Sequence, residues 1–258
     1  MKALAPELSH KMVADFLEEN YHKFNQRSFI EHDPICIPHR FSKKEDIEIA
    51  GFFASTLAWG QRKQIIERTS NLMTLMDNSP HDFIMHHHAA ERNAFRKFVY
   101  RTFNGEDCVY FIKSLQHIYQ NFGGLESCFA QGNTMQERLG RFKKIFFSLP
   151  HQQRTQKHVS DPLKKSACKR LCMYNRWMVR SDKKGVDFGL WKTISPRDLH
   201  LPLDVHTGRV SRAIGLLKRK QDDWAAVEEV TASLRVFAPH DPIKYDFALF
   251  GAGVSGLL

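Results

Sequence analysis

Ser42-Lys-Lys-Glu45-Asp-Ile47-Glu-Ile-Ala50-Gly51-Phe-Phe-Ala54-Ser-Thr-Leu57-Ala58-Trp-Gly60 is the stretch that decides the fold class. Ser42 and Glu45 have the Ser-x-x-Glu spacing of a capping box, in which each side chain bonds the other residue's backbone N–H. Ile47, Ala50, Gly51, Ala54, Leu57 and Ala58 then recur on one helical face, and Gly60 closes the run. Beyond Gln61-Arg62-Lys63, a second stripe of Ile65, Ile66, Thr69, Leu72, Met73 and Met76 stops at the Asn78-Ser79-Pro80 turn. Two helices in tandem are expected. The same period returns in residues 107–119, 125–129, 135–147 and 223–237, and again after Asp241-Pro242, where Gly251-x-Gly253 is expected to end the last helix. No segment alternates with the period of a half-buried strand, so the chain is read as all-α.

The 258 residues allow one large domain or two small ones, and 42% apolar with 26% charged residues is the balance of a globular chain, neither disordered nor fibrous. Its two longest nearly uncharged stretches, Ile49 to Gly60 and Phe247 to Leu258, fall well short of the ~20 residues that span a bilayer. Met1 to Glu7 lacks the apolar core of a secretory signal, and a cytoplasmic monomer with no membrane association is expected. Five cysteines, with no Cys-x-x-Cys pair, indicate neither a disulfide framework nor a zinc or iron-sulfur site. The three histidines His86, His87 and His88 lie about 100° apart on a helix and cannot close on one ion. No metal and no cofactor are expected.

Charge is distributed unevenly. The net is +10, and residues 151–220 hold 17 Lys and Arg against 5 Asp and Glu, while the rest of the chain is close to neutral. A basic surface facing a polyanion is one explanation and a solvated basic face the other. Within this region Ser160-Asp161-Pro162 reads as a helix start, with a helix expected to run to about Arg180. At about 100° per residue, Lys165, Lys169, Arg176 and Arg180 fall within about 60° of one another, and Ala167, Leu171, Tyr174 and Met178 lie opposite. One face is thus cationic and the other is core. Further on, Leu203-Asp204-Val-His206-Thr-Gly-Arg209-Val210 leads into apolar positions at helical spacing and puts Asp204 at a helix N-cap, where free N–H groups favour a carboxylate. A plain structural cap would look the same.

Several of these residues resemble a known superfamily. Lys165-Ser-Ala-Cys-Lys-Arg-Leu171 is similar to the Lys-Thr-Ala-x-x-x-Leu segment that opens the catalytic helix of the helix-hairpin-helix DNA glycosylases. Leu203-Asp204-Val-His206-x-x-Arg209-Val210 resembles their Val-Asp-Thr-His-x-x-Arg-Val, and Glu228-x-x-Thr231-x-x-Leu234-x-x-Phe237-Ala-Pro239 fits the spacing beyond it. Ile47 to Gln61 resembles their early helix and the polar loop after it. Across nearly the whole chain, Arg-Trp-Met-Val-Arg, Gly-Val-Asp-Phe-Gly and Lys-Tyr-Asp-Phe-Ala-Leu-Phe look like a family of uncharacterised bacterial proteins. Two departures stand out. Ser160 to Lys164 holds none of the hairpin glycines that let backbone N–H groups approach a phosphate, and 39 residues separate Lys165 from Asp204, a longer gap than usual.

The resemblance implies a two-lobed fold with a central cleft, residues 41–203 forming one lobe and residues 1–40 with 204–258 the other. It implies a glycosylase with associated abasic-site lyase activity on double-stranded DNA carrying a damaged base, such as an oxidised purine. Lys165 would be the nucleophile, with Lys164 its rival, and Asp204 its electrostatic partner. An amine of that kind must be unprotonated, which neighbouring cations favour, and the flipped base needs a pocket beside it. Gln61, Arg62, Lys164, Lys169, Arg176, Arg180, His206 and Arg209 are the expected DNA contacts. The missing glycines leave a second possibility, a non-catalytic DNA- or RNA-binding protein on the same scaffold. A metal-dependent hydrolase using Asp204, His206, His240 and Asp241 is a third.

Overall fold

A computed structural model of the protein describes residues 8–257; the N-terminal stretch read above for a secretory signal lies outside them. The chain is 64% helix and 2% strand, an all-α architecture. The first helices are α1 (His10–Phe24), α2 (Ser28–Glu31), α3 (Lys44–Leu57), α4 (Arg62–Leu75) and α5 (Pro80–His86). A two-residue hairpin, β1 (Val99–Tyr100) with β2 (Phe103–Asn104), precedes α6 (Gly105–Asn121), α7 (Leu125–Phe129) and α8 (Met135–Phe146). Then come α9 (Lys169–Val179), α10 (Val205–Ala213), α11 (Trp224–Phe237) and α12 (Asp246–Val254). Among the described residues no helix is long and apolar enough to cross a membrane.

The quoted stretch becomes the central helix. Every residue from Ile47 to Leu57 is buried, and Phe52 alone meets the rings of Phe111, Phe142, Phe146 and Tyr174. A helix apolar on all sides is one that others surround. Here α4, α5 and α9 pack on α3, with α6, α7 and α8 beyond, while α1 and α10 both pack on α12. The expected capping box does not form. Lys43 is the N-cap, no side chain caps it, and Asp46 in the first turn instead accepts from His81 N. Gly251 and Gly253 do not end the last helix but lie inside it. A Cβ on Gly251 would come within 2.2 Å of the Phe24 ring, and one on Gly253 within 2.8 Å of His206 Cβ, so both serve the close approach of α1 and α10 to α12.

The expected helix over 160–180 is shorter. A 3-10 turn at Pro162–Lys164 is followed by left-handed backbone at Lys165 (φ +64°) and Cys168 (φ +48°), and α9 starts only at Lys169. Tyr174, Met178 and Leu171 go to the core as the helical wheel requires. Arg176 and Arg180 do not go to solvent, which corrects their assignment as phosphate contacts. Arg180 is fully buried and donates to Asp182 (2.8 Å), Asp187 (3.0 Å), Asp241 (2.9 Å) and the Tyr21 hydroxyl (3.2 Å). Arg176 bonds Asp187 (3.2 Å) and Asp246. These pairings hold the end of α9 against α1, the segment 181–187 and the start of α12.

Removing Arg180 would leave three carboxylates facing one another. Arg180→Ala should cost about 3–5 kcal/mol in urea unfolding, and Arg180→Lys should recover only part of it, since one ammonium cannot serve a planar fork of acceptors. Lys164→Ala, at an exposed site, should stay within about 0.5 kcal/mol of the parent.

Candidate active site

Two helix N-termini converge. At the start of α10 the Asp204 carboxylate is split between two tasks. Its Oδ1 accepts from His206 N and Thr207 N, both at 2.9 Å, while Thr207 Oγ1 accepts from Asp204 N at 2.8 Å, a complete capping box. Its Oδ2 is left for the cavity, where Lys169 Nζ stands 3.5 Å away. Lys169 is the first residue of α9, and the left-handed residue before it aims the new helix so that Lys169, Met173 and Arg176 share one wall. Of the row of cations deduced from the wheel, Lys169 and Arg176 thus face a cavity, whereas Lys165 and Arg180 do not.

That cavity has a volume of about 300 Å³. Trp59 from the α3–α4 loop, Arg62 at the start of α4, Asp33 from the 3-10 turn ahead of α3, and Asp246 and Phe250 from α12 complete it. The Arg62 guanidinium lies 5.2 Å from the Phe250 ring centre. Asp246 is buried, and burial pushes its carboxyl up to about 6, with Asp204 adding to the rise and Arg176 opposing it. Burial likewise raises Asp33, against the backbone N–H of Ile35 and the Arg176 charge. Three carboxylates and three cations thus line one small space, and apolar ring surface lies between them.

Lys165 lies elsewhere. It is exposed and does not line the cavity, and its carbonyl accepts from Trp224 N at 3.1 Å as the chain bridges to Asp223. Two left-handed residues within four send Lys165 and Lys169 to different surfaces, so the lysine that meets Asp204 is Lys169. Lys164 borders a separate groove with Lys143 and Lys144. Gln61 is exposed at the N-cap of α4 between two lining residues, and Arg62 lines the cavity itself. His206 lines it too, with a buried Nδ1 that has no partner, while Arg209 donates to Gly253 O at 2.7 Å and so secures the end of α12. A second groove of about 520 Å³ adjoins the cavity, with Trp59 and Lys169 in both walls and Lys157, Ser166 and Asp222 along its length. Asp33, Trp59 and Asp246 escaped the sequence reading. Trp59-Gly60, breaking two apolar stripes, was a usable signal for the loop, whereas nothing local distinguishes Asp246 from an ordinary first-turn acid.

The raised Asp246 carboxyl has a consequence for stability. Folding favours its protonated form, so its contribution is fully present below the unfolded value near 4 and is lost as pH rises through about 6. Asp246→Asn should therefore gain on the parent protein between pH 4 and pH 6 in urea midpoints, and a constant difference across that window would contradict the assignment. No curated protein and no solved structure matches the chain. A family described as a protein of unknown function (DUF2400) matches residues 33–255, a span that takes in Asp33, Trp59, Lys169, Asp204 and Asp246. With most of its length and the charged lining of the cavity inside that match, the chain belongs to the DUF2400 family.

Proposed function

We propose that the protein is a DNA glycosylase with abasic-site lyase activity, acting in base excision repair on double-stranded DNA with a damaged base, and that Lys169 is its nucleophile. The observation that carries this is the Lys169–Asp204 pair at 3.5 Å on the wall of a cavity with room for one flipped base. The two-lobed arrangement belongs to the same proposal, with residues 41–203 supplying Lys169, residues 204–258 supplying Asp204, and a monomer closing on DNA between them. Lys157, Lys164 and Lys165 are exposed along the neighbouring surface and suit phosphates.

In this scheme the unprotonated Lys169 amine attacks the sugar C1′. The C1′–N bond breaks, its electron pair leaves with the base, and the base takes up a proton. Asp204 Oδ2 faces the positive charge that develops on the sugar and accepts the proton that the new C–N bond releases. Ring opening gives the Schiff base, elimination breaks the strand on the 3′ side, and water returns the amine.

Borohydride trapping on abasic duplex DNA tests this. Lys169→Gln should abolish the covalent adduct while DNA binding persists, and Lys165→Gln and Lys164→Gln should retain it. Asp204→Asn should slow base release by about 10²-fold. Trapping that survives Lys169→Gln and disappears in Lys165→Gln would return the nucleophile to Lys165. Salt-sensitive binding to DNA with no trapping at all would identify a binding protein on this scaffold.

A further inference from the structure

The rim between the cavity and its neighbouring groove is built from two segments that have no evident reason to be so closely fitted. Trp59 follows α3 and is the one aromatic side chain in both walls. Tyr100 donates to its carbonyl at 2.6 Å and meets its ring edge-on, with centroids 6.0 Å apart. Arg101, at the tip of the β1–β2 hairpin, lays its guanidinium 4.8 Å from the indole centre. Gly60 makes room for this: its φ is +108°, and a Cβ there would come within 2.5 Å of Arg101 Nη1 and 2.9 Å of Tyr100 Oη.

Arg101 is the anomaly. Its φ is +54°, backbone that glycine adopts freely and arginine does not. A tight hairpin turn calls for glycine at such a position. The side chain is exposed, and unlike its neighbours Arg96 and Arg154, which pair with Glu106 and Asp107, it has no carboxylate partner among the described residues. The Trp59 indole N–H is also without an acceptor. Strain held at an exposed residue, and spent on a stacked guanidinium, points to a role outside the fold.

We infer that Trp59 and Arg101 form a stacking platform for an unstacked nucleobase at the mouth of the cavity. The pair offers an indole and a planar cation in one plate, whose chemistry suits a π-ring attached to a phosphate. A guanidinium stacked on an indole keeps its edge N–H groups free, so a phosphate next to the seated base can be met without breaking the stack. The inference rests on the nucleic-acid reading of the cavity and adds the group that holds the base outside the helix.

The test is fluorescence anisotropy of the full chain with three labelled DNAs: a single strand, a duplex with a tetrahydrofuran abasic residue, and a fully paired duplex. The parent should prefer the first two. Arg101→Gly, which relieves the strain, and Trp59→Leu should each weaken those two by about tenfold, within the range of a lost base–aromatic stack, and leave paired duplex within about twofold. Arg101→Gly should keep its thermal midpoint within about 2 °C, since relief of strain and loss of the stack oppose each other. Arg101→Lys should behave like Arg101→Gly, and full affinity in that variant would overturn the platform in favour of charge alone. Variants that bind all three DNAs like the parent, with borohydride trapping of the parent intact, would overturn the platform and leave the glycosylase standing. A parent that binds none of the DNAs would overturn both.

Discussion

The structure turns on two buried arginines. Moving a guanidinium out of water costs several kcal/mol, and a buried pair recovers that only when its geometry is good and its remaining hydrogen-bonding groups are satisfied. Arg180 meets that requirement with Asp182, Asp187, Asp241 and the Tyr21 hydroxyl, groups drawn from three separate parts of the chain. Arg176, one turn earlier, shares Asp187 behind it and holds Asp246 in front, with its guanidinium 4.4 Å from the Phe247 ring. The carboxylates differ in consequence. Asp182, which Asn25 and Arg180 both bond, is held below the usual range, while burial raises Asp241 and Asp246. Because the network fixes the C-terminal end of α9, it also fixes the N-terminal end two turns away, where Lys169 reaches Asp204.

Most helices were legible because their apolar positions repeat at a fixed interval and their ends carry ordinary punctuation. Leu125–Phe129 has the bounds its periodicity gives, and Asp223 caps α11 through Ala226 N. Failures occur where a contact distant in sequence overrides a local preference. Gly251 and Gly253 look like terminators until Phe24 and His206 are seen against them. The β1–β2 hairpin is too short to alternate. The left-handed residues ahead of α9 are a lysine and a cysteine, two side chains that announce no such turn.

Charge misled for a related reason. The excess of cations in residues 151–220 is genuine, but a window along the chain is not a patch in space. Asp241 and Asp246 lie outside the window and neutralise Arg180 and Arg176 inside it. Arg154 goes to Asp107, Arg212 to Asp222 and Arg219 to Asp223, while Arg170 caps the end of α3 at Thr56 O. Much of the apparent excess is therefore internal cement, and the solvent-facing remainder is mostly lysine, with Arg197 among the exposed arginines. The cations that are buried here, Arg176 and Arg180, are both arginines, as expected from a rigid fork of donors against a strongly hydrated point charge.

The turn before α9 explains how those lysines come to matter. A glycine-rich hairpin would point backbone N–H groups at a phosphate. In this turn the N–H groups are consumed internally: Leu163 N donates to Asp161 Oδ1 (3.0 Å), Lys164 N and Ser166 N to Asp161 O (3.1 and 3.3 Å), and Lys165 N to Pro162 O (2.9 Å). Any phosphate at this turn must therefore be met by side chains, and Lys164 and Lys165 are the ones exposed there. Backbone N–H groups bind anions with partial charges fixed in place, whereas flexible ammonium groups bind with full charges that screen readily. The same turn that sends Lys165 to the surface delivers Lys169 to the cavity. A self-bonded turn thus divides two neighbouring lysines between the exposed surface and the cavity wall, a division that composition and spacing alone do not encode.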